Sequence, residues 1–248
     1  MRVCVIQFET KNSREENVKK AVGMLEKALQ LDPDLVVLPE AFNTGLQEKS
    51  YTNTGGIEEE LSEIIELSEE RDTVLVAGVI AKSEGLRNIA AIIHRGNVIA
   101  TYAKVLLFPL TSERRNFLPG NELVICSTPA GKIGLAICYE IRFPEIARKL
   151  ALLGAEILAI PSQFPRKRLD HWENLVKARA IENQLFVVAA NSFGRSMVVD
   201  PWGRASIAGE GDCILVEEIE LEEVWKIREN YPFLKDVSVL NSLNVRIL

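Results

Sequence analysis

Gly134-Leu135-Ala136-Ile137-Cys138-Tyr139-Glu140-Ile141-Arg142-Phe143-Pro144-Glu145 decides how the chain is read. The run Lys132–Cys138 has strand character and leads into a helix predicted over Phe143–Leu153. Pro144 suits the first turn of that helix, and Gly154 suits its C-terminal cap. A strand that leads directly into a helix is a unit of α/β architecture, and sites in such folds collect at the carboxyl ends of strands. The residue at this carboxyl end is Cys138.

The same alternation extends outward in both directions. Residues 2–8 read as a strand. Residues 15–31 read as a helix with Val18, Ala21, Val22, Leu25, Ala28 and Leu29 on one face. Asp34–Leu38 is a short buried strand that ends at Pro39-Glu40, and Ile57–Arg71 is a second amphipathic helix. Strands over 73–80, 87–94 and 97–103 follow, the last two joined at the hairpin signal Gly96-Asn97. A charged loop, 105–120, closes on Pro119-Gly120, and Leu123–Ser127 is the strand before the quoted stretch. Beyond it come a strand at Glu156–Ile160, a helix at Asp170–Asn183 and a strand at Leu185–Ala190. Short strands at Met197–Val199, Ala205–Ile207 and Cys213–Ile219 precede a helix at Leu221–Asn230, and the tail from Tyr231 has weak strand character. No linker-like stretch divides the chain. The expectation is one α/β domain over residues 1–248 that mixes hairpins with strand–helix–strand crossings.

Composition narrows the function. The 248 residues carry a net charge of −6 and a pI near 5.2, without the basic excess that nucleic acid requires. No stretch reaches the roughly 18 apolar residues of a membrane span. The N-terminus lacks the order of a signal peptide, and Cys4, Cys126, Cys138 and Cys213 show no metal-ligand spacing with the two histidines. A reduced, cytoplasmic protein without metal is expected. Neither a phosphate-binding loop nor G-x-G-x-x-G, H-E-x-x-H or G-x-S-x-G occurs, so no cofactor is implied. With only His94 and His171 available, histidine has little room to be an acid or base.

Three reactive residue types stand where strands end: Glu40 after Leu35–Pro39, Lys104 after Val98–Ala103, and Cys138 after Ile133–Ile137. A cysteine before a helix gains thiolate character from the helix N-terminus and a nearby lysine. A glutamate beside it can act as the base. The plainer readings stay open: a free cysteine is usually a small buried hydrophobe, and Glu40 could be a solvated strand end. Cys4, Cys126 and Cys213 read as ordinary structural cysteines.

Three separated motifs occur in order: Leu38-Pro39-Glu40-Ala41-Phe42 with Thr44-Gly45, Tyr102-Ala103-Lys104-Val105-Leu106-Leu107-Phe108-Pro109, and the stretch quoted at the start. In this the chain resembles the nitrilase superfamily of carbon–nitrogen hydrolases, over nearly its whole length. The resemblance implies a four-layer α-β-β-α sandwich. It also implies a homodimer, in which the apolar tail, about 231–248, packs on the partner or on its own sheet. It carries a Glu–Lys–Cys set onto Glu40, Lys104 and Cys138, acting through a thioester, with Lys104 and the backbone N–H of Tyr139 holding the oxyanion. It further implies a second glutamate, Glu113, six residues ahead of Pro119; the alternative is a surface ion pair with Arg114 or Arg115.

The form Cys138-Tyr139-Glu140-Ile141-Arg142-Phe143-Pro144-Glu145 resembles the branch that holds ω-amidases and related small-amide hydrolases. Arg142 either binds a substrate carboxylate or pairs with a neighbouring acid. Arg166-Lys167-Arg168 either lies at the pocket mouth or is simply solvated. Ala103, Leu106 and Glu140 depart from common relatives, and the stretch Asn191–Met197 is short, which bears on support and substrate rather than chemistry. The expected function is hydrolysis of a small, carboxylate-bearing amide with release of ammonia. The alternatives are an N-carbamoyl amine or amino-acid amidohydrolase, and a non-catalytic scaffold that keeps the fold.

Overall fold

Strands apolar on both faces need cover on both sides. In the computed structural model, which describes residues 1–240 and 246, and of Leu240 the backbone alone, the cover comes as four layers. The strands in chain order are β1 (Arg2–Gln7), β2 (Leu35–Val37), β3 (Val74–Lys82), β4 (Leu86–His94), β5 (Asn97–Ala103) and β6 (Ile125–Thr128). They continue as β7 (Gly131–Leu135), β8 (Ile157–Ser162), β9 (Phe186–Asn191), β10 (Met197–Val199), β11 (Ala205–Ile207) and β12 (Cys213–Glu218). The helices are α1 (Arg14–Leu29), α2 (Ile57–Glu60), α3 (Ser62–Ser68), α4 (Glu113–Asn116), α5 (Pro144–Leu152), α6 (Leu169–Asn183), α7 (Glu222–Asn230) and the single turn α8 (Val237–Leu240).

Two six-stranded sheets form, in the orders β12-β1-β2-β3-β4-β5 and β11-β10-β9-β8-β7-β6. Each has a parallel centre, β1-β2-β3 and β7-β8-β9, flanked by antiparallel strands. Side chains alternate across a strand, so β1 sends Val3 and Val5 into the core between the sheets and Cys4 and Ile6 toward the outer helices. Leu35 and Val37 of β2, with Val74 and Val76 of β3, meet Ile157–Ile160 and Val187–Ala190 of the second sheet. On the outer side, Val18, Ala21, Leu25 and Ala28 of α1 and Ile64 of α3 cover the first sheet. Helices α5 and α6 cover the second, with Ile146, Leu150, Trp172 and Val176 in its core.

Three predicted elements differ. The helix expected over Ile57–Arg71 breaks at Leu61, whose backbone sits at φ −107°, ψ 3°. There the Ser62 hydroxyl donates to the Glu59 carbonyl, 3.1 Å away, a local bond that competes with the helical ladder. The strand expected to reach Cys138 ends at Leu135, and Cys138–Arg142 is a 3₁₀ turn. The tail's weak strand character is not realised: Phe233–Asp236 is 3₁₀ and Val237–Leu240 helical. Pro232 has no N–H to give a ladder, while its carbonyl accepts from Lys235 N at 3.0 Å. The apolar residues Leu243, Val245, Ile247 and Leu248 of that tail lie outside the described residues. No helix among the described residues is long and apolar enough to cross a membrane.

Candidate active site

Glu40, Lys104 and Cys138 follow the carboxyl ends of β2, β5 and β7, and the facing of the two sheets brings the three together with Glu113 of α4. Lys104 Nζ lies 2.8 Å from Glu40 Oε1, and 2.8 and 3.2 Å from the two carboxylate oxygens of Glu113. All three side chains are buried, so these are water-excluded ion pairs rather than surface ones. The reading of Glu113 as a surface partner of Arg114 or Arg115 is thereby corrected. Its second oxygen accepts from Phe108 N at 2.7 Å, which pins the loop after β5.

Backbone geometry delivers these groups. Cys138 sits in the left-handed region at φ +48°, and so does Ala41, after Glu40, at φ +47°. Non-glycine residues rarely adopt that conformation, and where they do the surroundings hold them there. Gly78 of β3 makes the approach of Glu40 possible. A Cβ there would stand 2.6 Å from Glu40 Cα, 2.7 Å from Pro39 O and 2.7 Å from Pro161 Cβ. Its missing side chain lets the end of β2 lie against β8 of the other sheet.

The charges settle the protonation of the site. Burial alone would lower the Lys104 ammonium's pKa, but the carboxylates of Glu40 and Glu113 outweigh it and hold it above the usual lysine range. The Cys138 thiol is pushed well above the ordinary thiol range by burial first and by Glu40's charge second; Lys104 and the Ser162 hydroxyl offset this only in part. The thiolate character expected from a helix N-terminus and a lysine is therefore overridden: at rest Cys138 is a neutral thiol beside a carboxylate. Ser162 Oγ is near enough to favour the thiolate, yet makes no hydrogen bond of ordinary geometry among the described residues.

A cavity of about 160 Å³ opens onto Cys138, Lys104 and Glu113. That is room for roughly five waters. Phe108, Tyr139, Gln163 and Phe164 form its walls, and Arg142 and Arg168 reach it as well. Arg142 makes no ion pair among the described residues; its guanidinium stacks on the Phe164 ring, 4.9 Å from the centroid. Of the basic run, Arg168 lines the cavity, whereas Arg166 pairs with Glu9 at 2.7 Å on the surface. The amide of Tyr139 has no acceptor among the described residues. Neither histidine is at the site: exposed His171 lies on α6, and His94, at the end of β4, faces Asp72 at 3.9 Å. No group of three or more His, Cys, Asp or Glu side chains that could hold a metal occurs among the described residues.

Several residues that hold the site carry little signal in the sequence. Gln163 donates its backbone N–H to Glu40 Oε2 at 2.8 Å and its side-chain amide to the Glu40 carbonyl at 2.8 Å. Asn191 bonds both the N–H and the C=O of Phe164, at 2.7 and 3.3 Å, so the last residue of β9 fixes a cavity wall. Glu140 stands out in the sequence only as a departure from common relatives. Its buried carboxylate accepts from Tyr102 OH (2.7 Å), Val105 N (2.8 Å), Leu106 N (3.0 Å) and Ile137 N (2.7 Å), tying the Lys104 loop to the turn that carries Cys138. Asn88 of β4 touches Glu40 and Glu113 together. Its one legible signal is an amide inside the otherwise apolar run Asn88–Ile93.

A cysteine, a lysine and two glutamates thus meet at the mouths of two facing sheets. The carbon-nitrogen hydrolase family matches residues 2–229, and the chain belongs to that family. The deaminated glutathione amidase of Dictyostelium discoideum is 31% identical over 93% of this chain and 91% of its own length. The 2-oxoglutaramate amidase of Bacillus subtilis is 34% identical over 95% of this chain and 96% of its own. Among solved structures, a Saccharomyces cerevisiae protein of branch 10 of the nitrilase superfamily superposes with a TM-score of 0.84 at 28% identity, over 94% of each chain. The protein is thus a carbon–nitrogen hydrolase with the four-layer sandwich of the nitrilase type.

Proposed function

We propose that the protein is an amidase that releases ammonia from a small, carboxylate-bearing amide, with Cys138 as nucleophile. Glu40 takes the thiol proton as Cys138 Sγ attacks the amide carbon. Lys104 keeps an N–H for the substrate oxygen when the two oxygens of Glu113 share another, and with the Tyr139 amide it holds the oxyanion; one such donor is typically worth about 3 kcal/mol. The C–N bond then breaks. Ammonia departs with a proton delivered from Glu40, assisted by Glu113, and leaves a Cys138 thioester. Glu40 next takes a proton from water as the water attacks; the C–S bond then breaks, Glu40 returns that proton to Cys138 Sγ, and the acid leaves with the thiol and the Glu40 carboxylate both restored.

The observation that supports a carboxylate on the substrate is the pair of guanidiniums, Arg142 and Arg168, at one small cavity with no ion-pair partner among the described residues. Names of relatives agree, since 2-oxoglutarate monoamide and deaminated glutathione both carry carboxylates. We read the chain as a single cytoplasmic domain that pairs with a second copy through its exposed apolar surface, which includes Leu153, Ile181 and Trp202.

The test is an ammonia-release screen over ω-amides of dicarboxylic acids, glutamine, asparagine, N-carbamoyl amino acids and nitriles, run on the wild type and on Cys138→Ala. Turnover of an ω-amide that vanishes in the folded variant supports the reading. Carbon dioxide released with ammonia from a carbamoyl compound would replace it with the carbamoyl alternative. Undiminished hydrolysis by Cys138→Ala would overturn the mechanism.

A further inference from the structure

Two carboxylates beside one ammonium need something to keep them apart and in place. Four hydrogen-bond distances define how this site does it. Lys104 Nζ lies 2.8 Å from Glu40 Oε1 and 2.8 Å from Glu113 Oε1. Asn88 Nδ2 lies 2.8 Å from the same Glu40 oxygen and 2.8 Å from the same Glu113 oxygen. The four atoms close a ring in which two donors alternate with two acceptors. An amide nitrogen carries two protons, so Asn88 donates one to each glutamate. The flipped amide would set its oxygen 2.8 Å from two carboxylate oxygens, which repulsion forbids, so the orientation follows from the neighbours. The Asn88 carbonyl also accepts the backbone N–H of Lys104 at 2.9 Å, so one residue reaches three of the four groups.

The other end of the side chain makes the point sharper. Asn88 Oδ1 is buried and has no partner among the described residues. A buried acceptor without a donor is costly, and an apolar side chain would avoid that cost. The position keeps its amide for the two protons on the other side. We propose that Asn88 is a positioning residue that fixes the spacing and orientation of Glu40 and Glu113, so that Glu40 is held where it can receive the thiol proton. The inference rests on the roles proposed for the two glutamates and adds a residue that nothing else assigns to the reaction.

The test is Asn88→Asp, near in shape but lacking both donors and adding a charge, alongside Asn88→Ala, which removes the donors and the unpartnered oxygen together. Steady-state kcat and KM are measured with the best substrate of the screen, and melting temperatures are taken in parallel. We expect kcat to fall about ten- to a hundredfold in both variants, with KM changed less than about threefold. A purely structural Asn88 would lower the melting temperature and leave kcat of the folded enzyme where it was, and that result overturns the proposal. If one variant does not fold, the other decides the question alone. Glu40→Gln and Glu113→Gln separate the two levels: if they are inactive while both Asn88 variants behave as wild type, only the role of Asn88 falls; if they are fully active, the roles of the glutamates fall first.

Discussion

Replacing Gly78 with alanine adds one methyl group at the crossing of the two sheets, and the structure says what that methyl meets. Its nearest neighbours would be Glu40 Cα at 2.6 Å, Pro39 O at 2.7 Å and Pro161 Cβ at 2.7 Å. Two belong to backbone and the third to a proline ring, so no flexible side chain can swing aside. Ordinary contact begins near 3.4 Å, so the end of β2 and Pro161 of β8 must draw back from Gly78 by about 0.8 Å. Overpacking of this kind costs about 1–3 kcal/mol, which in a chain of this size lowers Tm by about 2–4 °C per kcal/mol. The larger effect falls on turnover. The displaced atom is the Cα of the proposed base, and a misplacement near 1 Å costs about a hundredfold in rate. Leu25→Ala is the control: Leu25 is fully buried under the outer face of the first sheet, far from the thiol, and its truncation costs about 2–5 kcal/mol. Thermal melts and steady-state kinetics below both transitions should show Gly78→Ala modestly destabilised and about a hundredfold slower, and Leu25→Ala at least as destabilised with kcat unchanged. A Gly78→Ala enzyme with wild-type kcat would refute the claim that this glycine sets the position of Glu40.

Other measurements follow from the same geometry. Because burial and Glu40 hold the Cys138 thiol protonated, its alkylation by iodoacetamide in substrate-free enzyme should still be accelerating above about pH 8; a plateau below that would mean a resting thiolate. Arg168→Ala should raise KM for a carboxylate-bearing amide by about ten- to a hundredfold and leave an uncharged amide of equal length unaffected; equal losses on both would remove Arg168 from substrate recognition. Burial raises the Cys4 thiol from 9.0 to about 11, so its neutral form contributes stability that is complete below pH 9.0 and is lost as pH rises toward 11. Urea midpoints at about pH 8 and about pH 10.5 should therefore differ more in the wild type than in Cys4→Ala, and parallel losses in the two proteins would count against it.

What could be read from the sequence were the features that local pattern controls. The continuous apolar runs Val3–Ile6 and Leu35–Leu38, the hairpin at Gly96, and Pro144 with Gly154 around α5 are each settled within a few residues, and all appear in the structure. Glu40, Lys104 and Cys138 could be picked out because each ends a recognisable strand. Long-range partners left weaker traces. Gln163 meets Glu40 across 123 residues and Asn88 meets it across 48, and no periodicity encodes such meetings. Glu140 is an acid in a turn until the fold surrounds it with four donors. The thiol's protonation departs from its sequence expectation for a related reason. Helix N-terminus and lysine are visible in sequence, but the burial that outweighs them comes from the packing of the two sheets against each other around Cys138.

The scarcity of histidine now has a physical reading. A histidine site works by titrating near neutral pH, so its charge is adjustable and its nucleophile is partly ionised before substrate arrives. Here Lys104 is locked as an ammonium by two carboxylates, and the thiol is locked as neutral by burial and Glu40. On the proposed mechanism the attack moves negative charge from the Glu40 carboxylate to the substrate oxygen, and Lys104 stands against both ends of that transfer. The ammonium's own charge never changes, so the site needs no group poised at its titration midpoint. A neutral resting thiol is also a poor nucleophile toward stray electrophiles. It becomes reactive when a carbonyl is in place to receive the charge, which ties reactivity to occupancy of the cavity between Arg168 and Lys104.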